Sequence, residues 1–213
     1  MHRLIERLNR LLADPLGVSP RLLLVAAALL LTAIYLFPLW NLTMFAPQYP
    51  EGLRLDIYSY TLEGGNKGQD VKEINVLNHY IGMRDLVTED FTEFKWLPFV
   101  VGALGLLYLR AAVLGTVGHL LDVLVLNMYF SSFALWSFAY KLYQYGHTLA
   151  PTAAVKVPPF MPPLFGYKQL ANFEVYSYPQ LASYAMALST LLTLAAAFSA
   201  WRHHRRLDRQ AAH

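Results

Sequence analysis

The chain has 213 residues, a formal net charge of +3, 56% hydrophobic residues and only 15% charged ones, against roughly 25% charged in soluble domains. Its apolar residues come in long blocks rather than at helical or strand period, which points away from a soluble core and toward a membrane protein. The absence of Cys excludes disulfides, thiolate zinc sites and iron–sulfur clusters, and the basic residues are spread over short segments, so no nucleic-acid partner is expected.

Residues 1–20 place Arg3, Arg7 and Arg10 among Leu4, Ile5, Leu8, Leu11 and Leu12. This spacing predicts an amphipathic helix lying on the cytoplasmic leaflet. Ser19-Pro20 offers a helix cap followed by Pro at the first helical position. The first span is expected over 21–40, since Leu22 to Trp40 carries no charge and about 20 such residues cross about 30 Å of hydrocarbon. That apolar run exceeds a secretory signal, and Met44-Phe45-Ala46 is a poor cleavage site, so a signal anchor is expected.

Residues 41–95 are polar and turn-rich. Leu53, Leu55 and Ile57 alternate with Arg54, Asp56 and Tyr58, the period of a strand. Gly64-Gly65-Asn66-Lys67-Gly68 resembles a hairpin tip. A weaker strand is expected through Val71–Ile74, then a short helix from Asn75 to Leu86. The second span is expected over 96–114, with Arg110 snorkelling near its end. A tight turn at Gly115–Gly118 precedes the third span, 119–140, which ends in an aromatic belt of Trp136, Tyr140, Tyr143 and Tyr145. Residues 144–180 form a second outer segment whose six prolines oppose long regular helices and sheets; its aromatic content suggests that it packs on the first outer segment as a cap. The fourth span is expected over 181–201, before a basic tail, 202–213, that holds Arg202, Arg205, Arg206 and Arg209.

The inner segments carry nine Arg or Lys against four acids, the outer ones eight against ten over about twice the length. Higher basic density inside orients the chain with both ends in the cytoplasm. The expected fold is an all-α membrane protein of four transmembrane helices bearing a small extracytoplasmic cap, with a β-hairpin among the cap's expected contents. No inverted repeat of the transporter kind is evident.

Two groups of residues carry chemistry. On a helix, His79 and Met83 would share a face, an imidazole with a thioether that suits copper, Cu(I) above all. His147 and Met161, on the same membrane face, are the further expected metal ligands, and Met44 lies just outside the first span. The plainer alternative has His79 bonded to a loop carbonyl and Met83 filling an apolar gap. Within the membrane, Arg110, His119, Asp122 and Asn127 are the polar residues of interest. Such groups mark functional sites by default, while an Arg110–Asp122 structural ion pair near the inner interface is the alternative. The acidic run around residues 70–93 reads either as a cation-attracting surface or as a solvated one. The span interiors lack a facing pair of deep His residues, so no haem is expected; His203 and His204 sit in the basic tail, lipid-facing or solvated. No nucleotide or hydrolase motif occurs, and no enzyme activity is expected.

Three stretches together carry a family resemblance: Ala46-Pro47-Gln48-Tyr49-Pro50-Glu51-Gly52-Leu53, the Leu77-Asn78-His79-Tyr80-Ile81-Gly82-Met83 core, and Val157-Pro158-Pro159-Phe160-Met161-Pro162-Pro163-Leu164. The chain resembles the NosB-like proteins, small multi-span proteins encoded near nitrous-oxide reductase in atypical (clade II) denitrification clusters. The resemblance implies a bacterial inner-membrane protein that supports a periplasmic copper enzyme, with a protein partner on the periplasmic face besides membrane lipid. It brings no catalytic residue. Copper handling by the outer segments is one expected role. A non-catalytic anchoring or assembly subunit, docking through residues such as Tyr49, Asn78 and Tyr80, is the second. A transporter or electron-transfer subunit using Arg110, His119 and Asp122 is the third.

Overall fold

A computed structural model describes residues 2–170 and 172–211; Arg3, Leu4, Arg7, Arg206 and Arg209 of the expected basic and amphipathic segments lie outside the described side chains. The chain is mostly helical, 62%, but it also holds a five-stranded antiparallel sheet, so it is not the all-α fold expected. Two compact units divide it: Met1–Ala33, Phe99–Ser131 and Ala185–His213 form the first, and Ile34–Pro98 with Ser132–Tyr184 the second.

The first unit is helical. Helix α1 (His2–Ala13) exposes Ile5 and Leu8, as an amphipathic surface helix does. Helix α2 (Val18–Leu31) begins on Gly17, so Ser19 and Pro20 stand inside the first turn rather than at the cap. Helices α4 (Glu93–Leu114), α5 (Val117–His147) and α6 (Leu181–Ala211) contribute their parts nearest the 115–116 turn and the C-terminus. With the short 3-10 turn after α2, four helices are long and apolar enough to cross a membrane: Val18–Tyr35, Glu93–Leu114, Val117–His147 and Leu181–Arg205. Each presents large apolar side chains outward, among them Leu29, Leu106, Tyr129 and Leu191. A water-soluble bundle would bury these; lipid accepts them.

The turn between α4 and α5 is pinned. Gly115 has φ +61, where a Cβ is costly. The Leu16 N–H donates to its carbonyl at 2.6 Å, and Val117 N–H donates to Asp14 O at 3.0 Å. The Arg21 guanidinium donates to Leu16 O at 3.1 Å, in the loop before α2, and to Val113 O at 3.2 Å, a carbonyl that the end of α4 leaves over. His204 Nδ1 lies 2.6 Å from the Asp14 carboxylate, so it is paired rather than merely solvated.

The second unit contains the sheet. Strands β1 (Trp40–Ala46), β2 (Tyr49–Ile57) and β3 (Leu62–Gly64) come from the first interspan segment, and β4 (Gly166–Leu170) and β5 (Phe173–Pro179) from the second. The order is β3-β2-β1-β5-β4. The two segments therefore do pack together, and they do so by main-chain pairing, Leu42 opposite Ser177 and Met44 opposite Val175. Trp40, expected at the end of the first span, belongs to β1.

Helix α3 (Gln69–Ile81) covers the inner face, taking in the Val71–Ile74 stretch expected as a strand and ending before Leu86. The core joins Leu42, Leu53, Leu55 and Val175 of the sheet to Ile74 and Leu77 of α3. Gly64–Gly68 is no hairpin tip: β3 stops at Gly64 and a 3-10 turn leads into α3. The buried Asp70 carboxylate organises this entry, accepting the Arg54 N–H at 2.9 Å and the Asn66 side-chain amide at 2.7 Å. Prolines concentrate in 151–163, which has no regular structure, whereas β4 and β5 lie clear of all but Pro179.

Candidate functional site

The alternation of β2, β1, β5 and β4 gives the sheet a second, outward face. Its middle row runs Arg54, Thr43, Tyr176, Tyr167 across four strands. Beside it runs the row Asp56, Asn41, Tyr178. The side toward β2 is polar and internally paired: Arg54 bridges Asp56 at 2.8 Å, and the Asn41 amide donates to Asp56 at 2.8 Å. The side toward β5 and β4 is aromatic. Tyr167 and Tyr176 have ring centroids 5.0 Å apart, Phe45 meets Tyr176 edge-on at 5.6 Å, and Phe165 meets Tyr178 edge-on at 5.4 Å. Phe165, Tyr167 and Tyr178 are exposed. Burial and the neighbouring Glu174 carboxylate push the Tyr176 phenol up, so it stays neutral at any physiological pH.

Between the inner face, α3 and the last turns of α5 lies a cavity of about 70 Å³. Leu42, Leu55, Leu77, Phe138 and Phe173 line it, with the thioethers of Met44 and Met83. The polar groups at its wall are turned to other partners: Lys141 Nζ donates to Asp90 O at 2.8 Å and Tyr145 OH to Asp85 O at 3.3 Å.

The expected metal ligands occupy different surroundings. Helix α3 stops at Ile81 because Gly82 takes a left-handed cap, φ +80, so His79 and Met83 do not share a helical face. His79 is exposed and Met83 lines the cavity. His147 stacks on Tyr143 at 3.8 Å, its Nδ1 bonded to Tyr143 O at 2.9 Å, beside an open hollow. Met161 is half-buried, its carbonyl accepting Lys168 Nζ at 2.8 Å. Among the described residues no group of three or more His, Asp or Glu is placed to hold a metal ion.

The polar residues of the spans separate in the same way. Arg110 and Asp122 are both exposed and form no ion pair with each other among the described residues, which removes the expected pairing. His119 Nδ1 meets the Thr116 hydroxyl at 2.5 Å, a local contact at the start of α5. Asn127 alone is fully buried, at 1% exposure.

Of the expected docking residues, Tyr80 is exposed, whereas Asn78 is buried and its amide faces Arg84 O at 3.5 Å. Tyr49 is half-buried, its hydroxyl donating to the Glu73 carboxylate. That hydrogen bond, with a second from Gln69, holds Glu73 below the usual carboxylate range. The lowered value means that the interaction contributes at neutral pH and is lost as the pH falls through the folded-state value. Tyr49→Phe is accordingly expected to move the Glu73 titration up toward the ordinary range. Carboxyl-carbon NMR reads this directly, and an unmoved titration contradicts the assignment.

Sequence reading missed the outward aromatics of β4 and β5. The signal was present, since Val175 and Ser177 alternate with Glu174, Tyr176 and Tyr178. No family model, curated protein or solved structure matches the chain. The class defined by the fold is a protein with four helices compatible with membrane crossing and one mixed α/β unit assembled from the two segments between them.

Proposed function

We propose that the protein is a membrane-embedded docking subunit without chemistry of its own, and that its sheet is the platform on which a partner protein sits outside the cytoplasm. The aromatic side of the outer sheet face carries this reading. Tyr and Phe are enriched where proteins bind one another, because they supply contact area at small entropic cost. A hydrophobic core beneath, joining the sheet to α3, supports the platform, and the neighbouring Arg54 and Asp56 charges are already paired with each other.

The β1–β5 pairing supports both interspan segments lying on one side of the membrane, and the positive-inside charge pattern supports the periplasm as that side. The resemblance to the NosB-like proteins supports a periplasmic copper enzyme of the nitrous-oxide reductase kind as the client, and a bacterial inner-membrane location with both termini cytoplasmic.

The test is a photo-crosslinking amino acid at Tyr167, in cells producing the copper enzyme. The expected product is a covalent adduct with that enzyme, identified by mass. Tyr167→Ala with Tyr176→Ala is expected to weaken co-purification on the order of 30-fold, about the 2 kcal/mol of an interface hot spot. Unchanged recovery from the double variant would remove the platform.

Copper handling is a second proposal, supported by Met44 and Met83 lining one cavity, since thioethers suit Cu(I). It predicts chelator-resistant copper in the purified protein that Met83→Leu removes; equal copper content in wild type and variant contradicts it.

A further inference from the structure

In the first unit, polar side chains of α4 and α5 are buried and hydrogen-bonded to neighbouring residues of α6. Tyr108 of α4, Asn127 of α5, Ser189 and Thr193 of α6 are each at most 1% exposed, and the Ser189 hydroxyl donates to Ala27 O of α2 at 3.0 Å. Asn127 stands ten residues into α5 and Thr190 nine residues into α6. At about 1.5 Å per residue these are about 15 and 14 Å from the helix starts, so with about 30 Å of hydrocarbon the cluster lies near mid-depth.

The hydroxyl protons of these residues are all committed. Asn127 Nδ2 donates to Thr190 Oγ1 at 2.8 Å, and the Thr190 hydroxyl donates to Met186 O at 3.0 Å. Thr193 gives its proton to Ser189 O at 2.8 Å, so the Tyr108 phenol, 3.0 Å away, donates to Thr193. The Asn127 Oδ1 is left buried with no donor. Turning the amide over only exchanges an orphan carbonyl for an orphan NH2. In hydrocarbon, where no solvent replaces a missing partner, either orphan is unfavourable.

We propose that the Asn127 side chain is the anchor of an internal water-binding site at the middle of the spanning bundle. Water is the ligand class that fits, because it donates to the carbonyl and accepts from an amide, so it satisfies the residue in both orientations. A buried water needs about three polar partners; Asn127 Oδ1 is the first, and the Thr190 hydroxyl oxygen, 2.8 Å from the nitrogen of the same amide, keeps a lone pair for a second. An apolar ligand would leave the carbonyl unmet, and a charged one would bring a second desolvation cost.

The probe is water itself, in full-length protein in lipid bilayers with labelled Asn and Leu. Magnetisation transferred from water protons is followed by solid-state NMR. The Asn127 side-chain signal is expected to gain polarisation several-fold faster than Leu24 and Leu31, which are buried in α2 of the same unit. Build-up as slow as those leucines overturns the site. The signal is assigned by its loss in Asn127→Leu, or in Asn127→Ser should the leucine variant not fold.

Discussion

Gly146→Ala is expected to destabilise the sheet-bearing unit by roughly 3 kcal/mol, the combined scale of overpacking and a lost buried hydrogen bond. Gly146 lies in the last turn of α5, where the Pro-rich segment crosses it. Its carbonyl accepts the Phe160 N–H at 3.0 Å, and an added Cβ would collide with the Phe160 carbonyl oxygen and crowd Pro162. These neighbours are backbone and a proline ring, not flexible side-chain ends, so they have little freedom to give way. The whole 158–163 segment must lift, taking the hydrogen bond with it. Pulse proteolysis in denaturant compares Gly146→Ala with the wild type, and equal midpoints contradict the packing described.

Leu55→Ala is expected to cost about 4 kcal/mol, toward the top of the range of 2–5 for such truncations. Leu55 is 1% exposed, pairs with Leu42 across β1 and β2, and belongs to the core cluster with Ile74. It also lines the existing cavity of about 70 Å³. Space opened there joins a void that the surrounding side chains have already failed to close, so little relaxation is available. The measurement is the denaturation midpoint of the same unit. A loss under 1 kcal/mol would mean that the sheet's inner face is not the core.

The four long apolar helices are legible because a charge-free run of about 20 residues has few other uses, and Gly115 marks the turn between α4 and α5. The start of the sheet was hidden by the same signal. Apolar residues continue from α2 through Phe37 to Trp40, so helix and strand merge into one run. Only the alternation of Leu42, Thr43 and Met44 separates them. The β1–β5 pairing joins residues 129 to 139 positions apart, and no local pattern specifies a partner at that distance. The prolines of 151–163 masked two short strands beyond them.

Helix α3 starts earlier than the local pattern of Val71 and Ile74 indicates, because the Asp70 carboxylate fixes the entry to the helix. The His79–Met83 pairing ignored Gly82, which is a helix stop when it takes a left-handed conformation. Asn127 was visible as an intramembrane polar residue. That its carbonyl lacks a donor follows only from where Thr190, Met186 and their bonds lie. Tyr49 and Tyr80 were singled out from one resemblance, yet one is committed to Glu73 and the other is free. The broader aromatic face, with Tyr167 and Tyr178, needed the register of four strands to emerge.

The chain has no cysteine, so single engineered thiols report sidedness without background. Lys72→Cys on α3, Gln169→Cys on β4 and Arg10→Cys on α1 all replace exposed residues. The decisive measurement is labelling of each with a membrane-impermeant maleimide, in cells with a permeabilised outer membrane. Labelling of Lys72→Cys and Gln169→Cys in intact cells, with Arg10→Cys reacting only after lysis, is the predicted result. Labelling of Lys72→Cys and Gln169→Cys on opposite sides, or of Arg10→Cys from outside, would contradict a periplasmic docking platform built from both interspan segments.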